Sequence, residues 1–142
     1  MSDENSWPDE MPVAEVRVTR PTDRLEEVVR FYRDGIGLPA VDQFGGLGHL
    51  GYTGVILGLP GRRYHLEFTQ HDEGSPCPAP TRDNLLVLYL PERDAIMPIV
   101  ARLLALGYPP VEPENPYWAA PRGWTFEDPD GWRVVLMNTA GI

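Results

Sequence analysis

Few side chains able to do chemistry stand at informative spacing in this sequence. Val13 to Arg20 alternates valines with polar groups at period two, the pattern of a half-buried strand, so Glu15, Arg17 and Thr19 share one face of it. A second short strand near 62–69 puts His65, Glu67 and Thr69 on one face by the same alternation. An arginine carries a permanent charge and five donors, a carboxylate accepts, and an imidazole can hold or move a proton near neutral pH. Tyr89, Tyr117, Trp118 and Trp124 can stack on a flat ligand or simply pack. Cys77 lies between two prolines beyond His71, but a thiolate needs a positive or helix-terminal setting that the sequence does not supply there. Gly45-Gly46-Leu47-Gly48 lacks the Lys-Ser/Thr of a phosphate loop and reads as a turn between strands.

The elements that must position these groups come in two rounds. After the first strand, Pro21-Thr22 breaks the pattern, and Asp23 with Glu26 forms a capping box. Leu25, Val28, Val29, Tyr32 and Ile36 then follow at helical spacing, giving a helix over 23–34 that Gly35 and Gly37 end. Strands are expected near 39–44, 52–58 and 62–69, with a turn at Pro60-Gly61, and the proline-rich run from His71 to Asp83 must be a loop. The second round has a strand over 84–90 and a helix through Ile96, Ile99, Val100 and Leu103, with Pro98 tolerable only in the first turn. Strands near 108–112, 117–126 and 132–138 follow, the last two joined by Asp128-Pro129-Asp130-Gly131. Two βαβββ units, at about 13–70 and 83–139, make one duplicated α+β domain over 13–142. Residues 1–12 are expected to be a disordered acidic tail outside it.

Bulk properties narrow the classes. A chain of 142 residues suits one domain, and no apolar run approaches the length of a membrane span. The net charge is −9, and setting aside the four acids of the first twelve residues still leaves 17 acids against 12 bases, which argues against nucleic acid as a partner. One cysteine forms no internal disulfide and points to a reducing cytoplasm.

Two motifs give this pattern a family likeness. Phe31-Tyr32-Arg33-Asp34-Gly35-Ile36-Gly37-Leu38 resembles the helix ending of the vicinal-oxygen-chelate superfamily, which includes glyoxalases, bleomycin-resistance proteins and extradiol dioxygenases. Glu127-Asp128-Pro129-Asp130-Gly131-Trp132 resembles its turn before the last strand. The likeness covers roughly 13–139 and is nearest to an uncharacterised bacterial subgroup. It implies paired modules whose mixed sheets curl into an open half-barrel around a cavity.

In metal-binding members four positions supply ligands. By the likeness the first is Arg17, the second Glu67, the third Asn84 or Leu85, and the fourth Val135. Arginine, leucine and valine offer a cation no lone pair, and asparagine is a poor substitute for histidine. The implied protein therefore holds no metal and no other cofactor. Arg17 and Glu67, on facing positions of one module, are expected to pair where the metal would sit, with Arg17 anchoring an anionic or carbonyl group and Glu67 orienting it. The same parity brings His65 into the cavity with Glu15 and Thr19, and turns Val16 and Val18 toward the helix. Tyr89, Tyr117, Trp118 and Trp124 are expected to line the second cup. The implied function is metal-independent binding of a small molecule, a drug or a metabolite, by a homodimer. The alternative is a lyase or isomerase working through Arg17, Glu67 and His65.

Overall fold

The computed structural model describes residues 8–58 and 64–142. The first seven residues of the acidic tail and the Pro60-Gly61 turn lie outside them. The first module runs β1 (Val16–Pro21), α1 (Leu25–Val29), β2 (Ala40–Phe44), β3 (Tyr52–Gly58) and β4 (Tyr64–His71). Beyond Val29, α1 continues in wider π-type turns over Arg30–Ile36 and stops at Gly37, whose φ of 103° is the left-handed conformation glycine adopts at least cost. The second module has β5 (Leu85–Tyr89), α2 (Arg93–Ala105), β6 (Gly123–Glu127) and β7 (Arg133–Met137). The sheets are mixed and unclosed: β1-β4-β3-β2, with β1 parallel to β4, and β5-β7-β6, with β5 parallel to β7. This is the duplicated α+β plan expected.

The core sits where the helices meet the sheets. Val28, Phe31, Ile96 and Leu103 are fully buried, and Leu57, Phe126, Val134 and Leu136 meet them from the strands. Each such side chain stabilises the fold by about 1.5–3 kcal/mol relative to an exposed one. α2 also crosses the end of the first helix. There the Arg102 Nε and Nη2 donate to the carbonyls of Gly35 and Ile36, each at 3.0 Å.

Three local expectations need correction. No side chain of the helix itself caps α1: the Leu25 N–H donates to Gln70 Oε1 of β4 at 3.0 Å, and the Asp23 carboxylate accepts from the Ser75 amide instead. Pro98 lies in the second turn of α2, on its exposed side, where water can satisfy the carbonyl it leaves unpaired. The strand expected near 108–112 is reduced to a single bridge, Val111 with Thr125. Pro109, Pro110 and Pro113 remove the amide hydrogens a ladder there would need.

Candidate functional site

Register decides which groups of the first module converge. β1 lies parallel to β4 with Arg17 opposite His65 and Thr19 opposite Glu67, so these four share the face turned away from the helix. The Arg17 Nη1 lies 3.5 Å from Glu67 Oε2, and its Nη2 donates to Glu15 Oε2 at 3.0 Å. The Thr19 hydroxyl donates to the other oxygen of Glu67 at 2.8 Å. Glu67 is therefore gripped from two sides and only 13% exposed, whereas Glu15, before the strand begins, is 44% exposed. His65 is mostly buried, with Nδ1 3.3 Å from Glu15 Oε1 and no hydrogen bond to it. Two carboxylates, one guanidinium and one imidazole thus form a compact polar cluster on this face of the sheet.

The opposite face of β1 differs from expectation at Val18. It shares that face with Leu66 and Phe68, but the helix does not reach the edge strand, and Val18 stays 61% exposed. It lines a cleft of about 440 Å³ between the modules, facing Leu86 of β5.

The second module is arranged otherwise. Phe126, Val134 and Leu136 pack on the helices, so Thr125, Arg133, Val135 and Met137 point to the other face, where they too are buried. What covers them is the chain between α2 and β6. The Glu112 carbonyl accepts from Arg133 Nη1 at 2.9 Å, and a Cβ on Gly123 would meet both the Trp118 carbonyl and Met137 Sδ at 2.7 Å. The second cup is plugged by its own strap.

The aromatic residues assigned to that cup are redistributed accordingly. Trp118 belongs to the strap. Tyr117, exposed, packs edge-on against Trp118 and under Arg122. Trp124 faces the helix side, opposite Leu136 in register and beneath the Arg93 guanidinium, because β6 alternates in phase with β7. Tyr89 is exposed near Gly141. Asn84 precedes β5, accepts from the Thr81 hydroxyl at 2.6 Å and stands at the rim of the intermodule cleft. Leu85, not Asn84, takes the face of Val87 and Val135. The fourth superfamily position, Val135, is buried.

A metal does not fit these residues. At the four positions that the family likeness gives for metal ligands, only Glu67 is a donor, and Arg17, Leu85 and Val135 have no lone pair to give. Among the described residues no group of three or more His, Cys, Asp or Glu side chains is placed to hold an ion. Nor is any helix among them long and apolar enough to cross a membrane.

A buried network went unread in the sequence. Arg20, Tyr32 and Asp128 meet inside the protein, with Arg20 Nη2 2.6 Å from Asp128 Oδ2 and the Tyr32 hydroxyl donating to the same oxygen at 2.8 Å. Burial, and then the Asp128 carboxylate, hold the Tyr32 phenol well above the ordinary tyrosine range. Burial also raises the Asp128 carboxyl, against the opposing pull of Arg20. The signal available was the phase of β1, which puts Arg20 on the valine face.

Comparison with known proteins follows the same two-module division. The model of the YycE-like N-terminal domain matches residues 16–69, and that of the YycE-like C-terminal domain matches residues 83–138. The uncharacterised protein YycE of Bacillus subtilis is 49% identical over 129 residues, 91% of each chain. The crystal structure of a YycE protein from that organism superposes with a TM-score of 0.85 at 46% identity, covering 94% of this chain and 96% of that one. At the level of fold alone, the trypanothione-dependent glyoxalase I of Leishmania major gives a TM-score of 0.68 at 18% identity, over 89% of this chain and 87% of that one. The antibiotic-binding protein TnmS3 of a Streptomyces species gives 0.58 at 21% identity, over 88% and 94%. With both modules matched in order, the chain belongs to the YycE-like family, within the vicinal-oxygen-chelate superfamily.

Proposed function

We propose that this protein binds a small molecule without a metal, on the face of the first sheet that carries Arg17, Thr19, His65 and Glu67. The observation that carries the reading is the Arg17–Glu67 pair, 3.5 Å apart, at what the family likeness gives as two metal-ligand positions. Thr19 holds Glu67 in place, and Glu67 holds Arg17. The exposed Glu15 carboxylate lies on Arg17 Nη2 where a ligand carboxylate or carbonyl would lie, so a ligand binds by displacing Glu15. The fold shared with an antibiotic-binding protein supports capture of a drug or metabolite. In this reading a homodimer completes the cup, since Arg17 and Glu15 on the polar face of the first module stay 37% and 44% exposed. The acidic surface supports a partner other than nucleic acid, and the single cysteine supports a cytoplasmic setting.

Thermal shift against pyruvate, bleomycin and divalent zinc tests this. Stabilisation by pyruvate or bleomycin, lost in Arg17→Met and Glu67→Gln, is expected. Zinc stabilisation reversed by a chelator would overturn the metal-free reading. Sedimentation velocity checks the dimer.

A second reading, catalysis by the same cluster, draws on one observation: the Nδ1 of His65 is buried, has no hydrogen-bond partner among the described residues and sits beside Glu15. It is then free to act as a general base. Under this reading a bound ligand that turns over in the parent protein stays bound and unchanged in His65→Asn.

A further inference from the structure

We propose that Arg20, Asp128 and Asp130 form a latch that holds the two modules at one angle, and that the linker through Cys77 closes over it. The guanidinium of Arg20 lies between two rings, Phe68 of the first module and Trp132 of the second, each centred 5.0 Å away. Its Nη2 pairs with Asp128 Oδ2 at 2.6 Å and its Nη1 with Asp130 Oδ2 at 3.3 Å. Tyr32 donates to Asp128 at 2.8 Å, and the Thr22 hydroxyl donates to Asp130 at 2.6 Å. All side-chain donors to these two carboxylates come from the first module, and both acceptors from one turn of the second. That turn is rigid, because Asp128 Oδ1 also accepts its own Asp130 and Trp132 amides at 2.8 and 3.0 Å.

The linker is fastened to the same place from both sides. Trp132 Nε1 donates to the Cys77 carbonyl at 2.7 Å, and the Ala79 amide donates to the Asp130 carbonyl at 3.1 Å. Ser75 Oγ donates to the Thr22 carbonyl at 2.8 Å on the first-module side. Asp128 is fully buried and Arg20 12% exposed, so losing Arg20 strands the Asp128 charge inside the protein, and losing Asp128 leaves Arg20 only its longer pair with Asp130. The latch therefore opens as a unit, and opening lifts the linker and bares the half-buried Cys77.

The chain has one cysteine, which makes its thiol a built-in reporter. The experiment follows modification of Cys77 by N-ethylmaleimide in the full chain under native conditions, read by intact mass. Arg20→Met and Asp128→Asn are expected to raise the rate roughly tenfold or more, the factor that about 1.4 kcal/mol of lost closure produces. Thr22→Val and Trp132→Phe, milder changes that keep the ion pair, should each raise it by a smaller factor. Val28→Ala is the control, since it weakens the core of the first helix and removes no group of the latch. Equal labelling rates in the latch variants and in Val28→Ala, at matched unfolding midpoints, would overturn the proposal. So would an unchanged rate in both Thr22→Val and Trp132→Phe.

Discussion

Arg20 Nη2 and Asp128 Oδ2 stand 2.6 Å apart, joining the first strand of one module to the last turn of the other. Both groups are shielded from water, so the pair behaves as a buried one, where removing a single partner is far worse than removing both. Asp128→Ala should lower the unfolding free energy by about 3–5 kcal/mol, and the double change Arg20→Met with Asp128→Leu should recover part of it. Urea unfolding of both variants beside the parent protein measures this.

Tyr32 sets an alkaline limit on stability. Unfolded, it ionises near pH 10, whereas folded it keeps its proton well above that, through burial and the adjacent Asp128 carboxylate. Its contribution is complete below about pH 10 and drains away as pH rises from there toward the folded value. Tyr32→Phe should lose about 1–2 kcal/mol at neutral pH with its hydrogen bond to Asp128, yet show a shallower decline above pH 10. Tyr108, also raised chiefly by burial, keeps some slope in both proteins. Acidification brings no matching loss through Asp128, because its folded carboxyl is raised and takes up a proton more readily than the unfolded one. Melts across pH 4–11 read both limbs.

Gly35 is required by contact and not by its backbone angle. A Cβ there would strike the Leu103 side chain of α2, and a Cβ on Gly37 would stand 2.9 Å from Arg102 Nη2. Gly35→Ala should cost about 1–3 kcal/mol through overpacking. In a Leu103→Ala background the added methyl has room, and the same change should cost less than in the parent. A double-mutant cycle in denaturant checks the sign.

Gln70 anchors the start of α1 through Leu25 N–H and the Asp23 carbonyl. Gln70→Leu leaves both unpaired and should cost about 1–2 kcal/mol, as loss of a helix cap does. Amide exchange should speed up first at residues 25–28.

The polar cluster of β1 and β4 contributes little to folding. Arg17 is 37% exposed, so its pairs are partly screened, and Arg17→Met should shift stability by less than about 1 kcal/mol. Binding lost in that variant can then be assigned to the site, with circular dichroism confirming an unchanged fold.

Much of the architecture was legible along the chain, because it rests on local periodicity. Alternation at Val13–Arg20 and helical spacing from Leu25 to Ile36 are written residue by residue, and duplication of the plan adds a second reading of each element. The grouping of Arg17, Thr19, His65 and Glu67 on one face needed only the two-residue period of strands plus the family likeness.

Other features depended on chain segments distant in sequence. The single bridge at Val111 shows proline chemistry overriding the strand expected near 108–112. Trp124 changed sides because the phase of β6 is set by pairing with β7, which its own composition does not reveal. The strap over Val135 and the cap that Gln70 places on α1 join segments tens of residues apart in sequence or folded across a sheet.

What the sequence alone determined was the duplicated α+β plan, the chemical unfitness of Arg17 and Val135 for the ligand positions that the family likeness gives them, and which residues alternate together. These follow from residue type and local period. What only the tertiary structure decided was which faces stay open and which charges meet: Glu67 held by Thr19, Arg20 inserted between Phe68 and Trp132, and the second cup closed by its own chain. Those outcomes depend on the angle between modules and on the course of long connections, and no local pattern encodes either.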